Sequence, residues 1–276
     1  MMKIGRIPYI NCYPVYGAID RGVVKLDARL VDGVPTDLNK KMSDGELDIS
    51  VVSAVEYARD ADRYLLLPDL AISCDGPVRS VMLFSRRPAP ELGSRNVIVS
   101  RSSMTSVALL ELLFENVWHA TPRFVPGDAE VRDVIVDDTG SADARLVIGD
   151  AALVLASKHR ERYPFVYDLG QVWKSWTGQP FVFAVWVAQR TTDVKKALVA
   201  HAGLIASRNW GLAHLHDLAE QAHRATGVEH SVCAEYLSGL DYGLSYPHLA
   251  GLTEFYRRLV ERGRIPNGTL TFLPAA

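Results

Sequence analysis

Short apolar runs alternate with helical patterns along the first two thirds of the chain, and this alternation constrains the fold most strongly. Short runs bounded by turn residues indicate strands, and strands that alternate with helices indicate an α/β protein with largely parallel sheets. Apolar residues at helical spacing predict an amphipathic helix over residues 103–118. The predicted strands cover residues 3–9, 29–33, 49–53, 64–68, 78–86, 97–100, 123–125, 146–148, 165–168 and 181–188.

Two proline-containing joints suggest that the chain passes from one lobe to another and returns. The first, RRPAPELG at 86–93, directly follows a predicted strand, and the second, TGQP at 177–180, precedes a strongly apolar strand. Ligands of such proteins bind in the cleft between the lobes. The prediction is a discontinuous first lobe of residues 1–87 and 188–276, and an inserted second lobe of residues 88–187.

Composition excludes several classes of protein. The 276 residues are 48% hydrophobic and 22% charged, as in ordinary globular proteins. A net charge of −2 without a long Lys or Arg run argues against nucleic acid as a partner, although local groups can still bind a small anion. No stretch is long enough for a membrane span and no signal peptide is visible, so we expect a cytoplasmic protein with no membrane partner.

Two loop positions are candidates for ligand contact. Asn11 lies in a stiff segment between Pro8 and Pro14, after the first strand. An Asn fixed in this way can orient a hydroxyl or a carboxylate, although many such residues only form turns. Ser80 lies at the entrance of a strand that Gly76 and Pro77 begin, where its hydroxyl either bonds a ligand or satisfies neighbouring backbone groups.

A third candidate is the hydroxyl-rich turn between the strand at 97–100 and the helix that follows. Five Ser or Thr residues occur within seven positions, more than helix capping requires. The free N–H groups and the dipole of a helix N-terminus favour a carboxylate or a phosphate. The turn is not a P-loop, because the glycines and the lysine are missing.

Two further segments carry polar or aromatic side chains near predicted strand ends. Asp150 follows Gly149 at the end of a strand, and it is either a helix N-cap or a group that bonds a ligand hydroxyl. Trp173 and Trp176, next to Thr177, either form a wall for a flat unsaturated ligand or pack the joint.

Metal-dependent and triad-type chemistry have no support in the sequence. The three cysteines are too few and too widely spaced for a disulfide framework or a thiolate zinc site. The eight histidines form no HExxH or similar spacing, and no G-x-S-x-G elbow is present. We therefore predict no metal site.

Six segments together resemble the chorismate dehydratases of the futalosine route to menaquinone. They occur in the same order and cover most of the chain, so their combination is far more specific than any one segment. The segments are IPYIN at 7–11, DGELDISVVSAVEYA at 44–58, GPVRSV at 76–81, the hydroxyl cluster before VALL at 107–110, IGDAAL at 148–153 and TGQPFVFA at 177–184.

The resemblance implies a two-lobed fold similar to type II periplasmic binding proteins. It also implies loss of water from chorismate to give 3-[(1-carboxyvinyl)oxy]benzoate, with no metal or organic cofactor. The related 1,4-dihydroxy-6-naphthoate synthases usually carry Cys-Pro-Asn-Asp in the first loop, where this chain has INCYP. The expected catalytic residues are Asn11 and Ser80, and the expected substrate-binding residues are Ser102, Ser103, Thr105, Ser106, Asp150, Trp173 and Thr177.

The base that would remove the C3 proton is not evident in the segments assigned to the cleft. The hypothesis is that the enolpyruvyl carboxylate of the substrate acts as the base, held by Asn11 and Ser80, with Asp150 as the competing protein base. A non-catalytic module of the same fold that binds or senses a small anion is the alternative from another class. The sequence does not define the oligomeric state.

Overall fold

The computed structural model describes residues 1–127, 142–158 and 162–274, which form two five-stranded sheets with helices packed around them. Short 3-10 turns lie at Ile10–Cys12, Ala61–Arg63 and Ala89–Leu92. The helices of the described residues are α1 Tyr13–Asp20, α2 Pro35–Ser43, α3 Ala54–Arg59, α4 Met104–Asn116, α5 Gly149–Lys158, α6 Leu169–Thr177, α7 Val194–Ala213, α8 Leu215–Thr226, α9 His230–Ser238 and α10 Tyr246–Glu261.

All ten predicted strands are present, five in each sheet. The first sheet has the order β2-β1-β3-β10-β4, and the second has the order β7-β6-β8-β5-β9. The strands are β1 Met2–Arg6, β2 Ala28–Asp32, β3 Ile49–Ser53, β4 Tyr64–Cys74, β5 Val81–Ser85, β6 Asn96–Ser100, β7 Arg123–Gly127, β8 Ala144–Ile148, β9 Phe165–Asp168 and β10 Phe181–Gln189.

The prediction of largely parallel sheets is wrong. β1 is parallel to β2 and β3, and β6 is parallel to β7 and β8. β10, however, is antiparallel to both of its neighbours, and so is β5. β5 is the first strand after the chain leaves the first sheet, and β10 is the first strand after the chain returns to it. Neither is joined to its neighbours by the helical crossover that makes strands parallel.

The predicted lobe boundaries at 88 and 187 also need correction. β5 belongs to the second sheet although it lies before residue 88, and β10 belongs to the first sheet although most of it lies before residue 188. The chain therefore passes between the sheets at residues 75–80 and 178–180. The Pro-rich stretch predicted as the first joint instead forms a 3-10 turn, Ala89–Leu92, between two strands of the second sheet.

Helix α1 is fixed against the first sheet by a buried hydrogen-bonded pair. The Trp186 indole N–H donates to the Tyr16 hydroxyl at 3.0 Å, and that hydroxyl donates to the Gly5 carbonyl at 3.2 Å. Both aromatic side chains are buried, so an unpaired polar end on either would cost free energy. The loop that precedes α1 contains Asn11, so this contact also limits where that loop can lie. Within the described residues, no helix is both long enough and apolar enough to cross a bilayer.

Helix α7 crosses α1 so closely that a glycine is required at the contact. A Cβ at Gly211 would lie 2.2 Å from the Pro14 carbonyl oxygen, whereas a Cβ at Gly203 in the same helix would meet only the Leu26 side chain, at 3.1 Å. Backbone atoms cannot move aside as a side-chain terminus can. The first contact is therefore rigid and the second is adaptable.

We predict that Gly211→Ala lowers the free energy of unfolding by about 2 kcal/mol through overpacking. Gly203→Ala is the matched control, and it should leave stability unchanged or raise it by up to about 1 kcal/mol because alanine favours the helix. Urea unfolding of both variants measures the difference. Equal stability of the two variants would contradict the assigned contact.

Candidate active site

A small cavity of about 70 Å³ lies between the two sheets, with walls from both lobes. It is much smaller than the roughly 300–1,000 Å³ of small-molecule pockets, so a ring-sized ligand enters only if the walls move apart. No charged side chain is present among the described residues that line it. Those residues are Ile7, Tyr9, Asn11, Pro35, Ser53, Ile72, Val78, Ser80, Val81, Ser103, Ser106, Ile148, Gly149, Phe183 and Ala184.

A larger cleft of about 680 Å³ between α6 and α10 is a weaker candidate. It opens widely to solvent, and its charged residues already pair with one another: Glu254 accepts from Arg257 at 2.8 Å and contacts Arg258 at 2.7 Å. The cavity between the sheets instead brings together polar groups whose hydrogen-bonding capacity is incomplete.

Asn11 shows that incompleteness most directly. It lies in the 3-10 turn Ile10–Cys12, and its Oδ1 atom is buried without a hydrogen-bond partner among the described residues. A buried unpaired carbonyl costs about 1–3 kcal/mol, so its presence in a cavity calls for a functional reason. Asn11 is therefore placed where a ligand donor would complete its bonding.

The Asn11 loop is held from the other lobe by Asp150. The Ile10 N–H donates to Asp150 Oδ1 at 3.1 Å, and Asp150 lies in the first turn of α5. Gly149 beside it has φ +62°, and a Cβ there would lie 3.0 Å from the Tyr9 ring. Asp150 thus fixes the loop and is absent from the cavity lining, so its role as a substrate-binding residue stays a prediction.

Ser80 lies in the first of the two passages between the sheets, and Asp168 fixes that passage. The Asp168 carboxylate accepts from the Val78 N–H at 3.0 Å and from the Arg79 N–H at 2.6 Å, and it also caps α6 through Gln171 N at 3.1 Å. Burial raises the pKa of Asp168, and these backbone donors oppose that rise. Arg79 has φ +59°, a strained conformation that the clamp maintains.

The Ser80 hydroxyl is buried and only loosely engaged. It donates to the Val78 carbonyl at 3.3 Å, a long distance for an O–H donor. The Ser80 backbone is more firmly held, because its carbonyl accepts from the Gly149 N–H at 2.8 Å. A ligand oxygen can therefore replace the weak side-chain bond without moving the turn.

The hydroxyl-rich turn contributes two of its members to the cavity. Ser103 is the N-cap of α4 and accepts from the Ser106 N–H at 3.2 Å. Its hydroxyl donates to Ser106 Oγ at 2.8 Å, so the Ser106 hydroxyl keeps its own proton for another acceptor. Together with the N-terminal dipole of α4, the two hydroxyls form a suitable contact for a carboxylate.

The other predicted members of this cluster are not at the cavity. Thr105 Oγ1 accepts from the Val55 N–H at 3.1 Å and so joins α4 to α3. The Ser102 N–H donates to Ser100 Oγ at 3.0 Å, and Ser102 is not part of the lining. The prediction of Thr105 as a substrate-binding residue is corrected accordingly, because its hydroxyl joins two helices. The role of Ser102 stays a prediction.

Trp173 and Thr177 are also corrected, because they pack the joint. The Trp173 indole is fully buried, its N–H donates to the Pro180 carbonyl at 3.2 Å, and its ring lies 5.2 Å from that of Phe181. Thr177 Oγ1 donates to the Trp173 carbonyl at 2.9 Å and accepts from Gln179 N at 3.1 Å. Their contacts fix the second passage between the sheets.

Three polar or aromatic lining residues escaped the sequence analysis: Tyr9, Ser53 and Phe183. Ser53 accepts from Asn39 Nδ2 at 3.2 Å and caps α3 through Glu56 N at 3.1 Å. It is the last residue of β3, so its position at a strand end was an available signal. No group of three or more His, Cys, Asp or Glu residues within the described part of the chain has a metal-binding arrangement.

Comparison with known proteins identifies the family. Residues 2–261 match the family model described as menaquinone biosynthesis. The chain belongs to this menaquinone biosynthesis family. The resemblance predicted from the six segments is thereby confirmed. A chorismate dehydratase from Thermus thermophilus is 33% identical over 268 residues, which cover 91% of this chain and 95% of that protein.

Other relatives agree with this family and with the fold. A chorismate dehydratase from Campylobacter jejuni is 29% identical over 187 residues, 66% of each chain. A crystal structure of an Archaeoglobus fulgidus protein superposes with a TM-score of 0.73 at 18% identity, covering 96% of this chain and 98% of that one. The alkanesulfonate-binding protein of Xanthomonas axonopodis gives 0.68 at 12% identity, covering 98% and 96%. The two-lobed fold similar to periplasmic binding proteins is confirmed.

The Asp168 clamp allows a test of how the Ser80 turn is held. We predict that Asp168→Ala lowers the free energy of unfolding by about 3 kcal/mol, because several buried N–H groups lose a charged acceptor. Asp75→Ala is the control in the same passage; it breaks only a 2.5 Å ion pair with Lys174 at the surface and should cost less than about 1 kcal/mol. Equal losses in urea unfolding would show that Asp168 does not fix the turn.

Proposed function

We propose that this protein is a chorismate dehydratase that eliminates water from chorismate to give 3-[(1-carboxyvinyl)oxy]benzoate. The observation that carries the proposal is the uncharged cavity in which Asn11 and Ser80 meet the Ser103–Ser106 pair. A member of the menaquinone biosynthesis family with chorismate dehydratases among its relatives is expected to bind this small dicarboxylate. A cytoplasmic location stays a prediction.

The Ser103–Ser106 end of α4 is suited to the ring carboxylate. Removal of the C3 proton places negative charge on C3, and conjugation through the adjacent double bond carries that charge to the ring carboxylate. Hydroxyl donors and a helix N-terminus aimed at this group stabilise the charge as it develops. The hydroxide then leaves from C4, the ring becomes aromatic, and the abstracted proton completes the water.

Asn11 and Ser80 are suited to the enolpyruvyl carboxylate, which we assign as the base. The described lining holds no Asp, Glu or His that would take a proton. A carboxylate of the bound substrate is already close to C3, and two fixed side chains can hold it at the right distance. The elimination is redox-neutral, so its balance requires no electron acceptor.

The first test is turnover. We predict that the purified protein consumes chorismate, seen as loss of the diene absorbance, and that Asn11→Ala reduces kcat about 100-fold. Stability of the variant should stay constant or rise, because the substitution removes a buried unpaired oxygen. Tight binding of chorismate without any turnover by the wild-type protein would instead establish the non-catalytic binding module.

The second test separates the two candidate bases. Asp150→Asn retains an oxygen that can accept from Ile10 N, so we predict less than about a tenfold fall in kcat. Loss of a general base would cost about 10²–10⁴-fold. Asp150→Ala, which removes the acceptor, should be the more damaging variant because it releases the Asn11 loop. Complete loss of turnover in Asp150→Asn with chorismate binding intact would assign the base to Asp150.

A further inference from the structure

Tyr236 on α9 places a buried, unpaired hydroxyl behind the cavity wall. The residue is 1% exposed, and its hydroxyl has no hydrogen-bond partner among the described residues. It is absent from the cavity lining, so it does not touch a ligand there. A buried unpaired hydroxyl lowers the stability of the protein in this state, so its presence suggests that it forms a hydrogen bond in another state.

The neighbour of this hydroxyl is Ser80. Burial raises the pKa of Tyr236, and the Ser80 hydroxyl, which is close enough to act on it, partly lowers that pKa. The structure shows no hydrogen bond between the two hydroxyls. Tyr236 therefore stays protonated at neutral pH and has a proton to donate.

An ion pair holds α9 against the Ser80 turn. Arg79 Nη2 lies 2.6 Å from Glu235 Oε1, and these residues directly precede Ser80 and Tyr236 in the chain. One turn further on, directly after the C-terminus of α9, a Cβ on Gly239 would lie 2.6 Å from Arg79 Nη1, so helix and turn are in close contact. These two contacts place Tyr236 and Ser80 on facing parts of the helix and the turn.

The Ser80 hydroxyl can bond to Tyr236 and to a ligand at the same time. A serine hydroxyl donates one hydrogen bond and accepts up to two. In the structure its proton points to the Val78 carbonyl at 3.3 Å. When that proton turns to a ligand oxygen, the two oxygen lone pairs turn with it, and one of them can face the Tyr236 hydroxyl and accept from it.

We propose that Tyr236 is a positioning residue for Ser80: in the substrate complex its hydroxyl donates to Ser80 Oγ, which in turn donates to a substrate oxygen. This inference rests on the proposed function. A donor behind Ser80 both fixes its rotamer and strengthens its own donation, because hydrogen bonds in a chain polarise one another. The Tyr236 hydroxyl, which is unpaired in the free protein, thereby gains a hydrogen-bond partner in the substrate complex.

The test is Tyr236→Phe, which removes only the hydroxyl. We expect kcat for chorismate to fall about tenfold, the effect of one hydrogen bond, with KM changed less than about twofold. Tyr242→Phe is the matched control, since Tyr242 is 2% exposed and its hydroxyl is equally unpaired within the described chain. Its kcat should stay at the wild-type value, and neither variant should be less stable than wild type.

A double-mutant cycle distinguishes positioning from a structural effect. In a Ser80→Ala background, Tyr236→Phe should lower kcat no further, because the residue acts through the Ser80 oxygen. Two results overturn the inference while the proposed function stands. One is a wild-type kcat in Tyr236→Phe, and the other is an equal fall in kcat when Tyr236→Phe is made in the wild-type and in the Ser80→Ala protein. A wild-type protein that does not turn over chorismate overturns both.

Discussion

The start of helix α5 holds both loops on which the cavity depends. Asp150 accepts from the Ile10 N–H at 3.1 Å, and the Gly149 N–H donates to the Ser80 carbonyl at 2.8 Å. The approach is possible because Gly149, at φ +62°, presents no Cβ to the Tyr9 ring. One junction between a strand and a helix in the second lobe therefore holds two candidate catalytic side chains, Asn11 in the first lobe and Ser80 in the passage between the lobes.

The uncharged lining has a chemical consequence for any carboxylate that binds there. A cation beside a carboxylate lowers its pKa and weakens it as a base, whereas hydroxyl and amide contacts hold it with a smaller loss of basicity. Burial of a carboxylate without a counter-ion costs free energy, and the dipole of the helix that Ser103 caps offsets part of that cost. A cavity of this kind thus suits a substrate that supplies its own base.

The sequence predicted what depends on local pattern and missed what depends on packing. Pro8 and Pro14 located the Asn11 loop, and the strand predicted over residues 78–86 is present, although it begins at Val81, after Ser80. Trp173 was ambiguous because a tryptophan in a polar segment has the same pattern whether it faces a ligand or, as here, the core at 0% exposure. The Thr105 side chain turned out to join two helices, a contact between segments 50 residues apart that no local signal records.

The corrected position of the first passage places Ser80 between the lobes. Because β4 ends at Cys74 in one sheet and β5 begins at Val81 in the other, Ser80 lies within the passage itself. A cavity of about 70 Å³ must open to admit a ring. In a two-lobed protein that opening changes the backbone at the passages. The position of Ser80 relative to Asn11 therefore depends on the angle between the lobes.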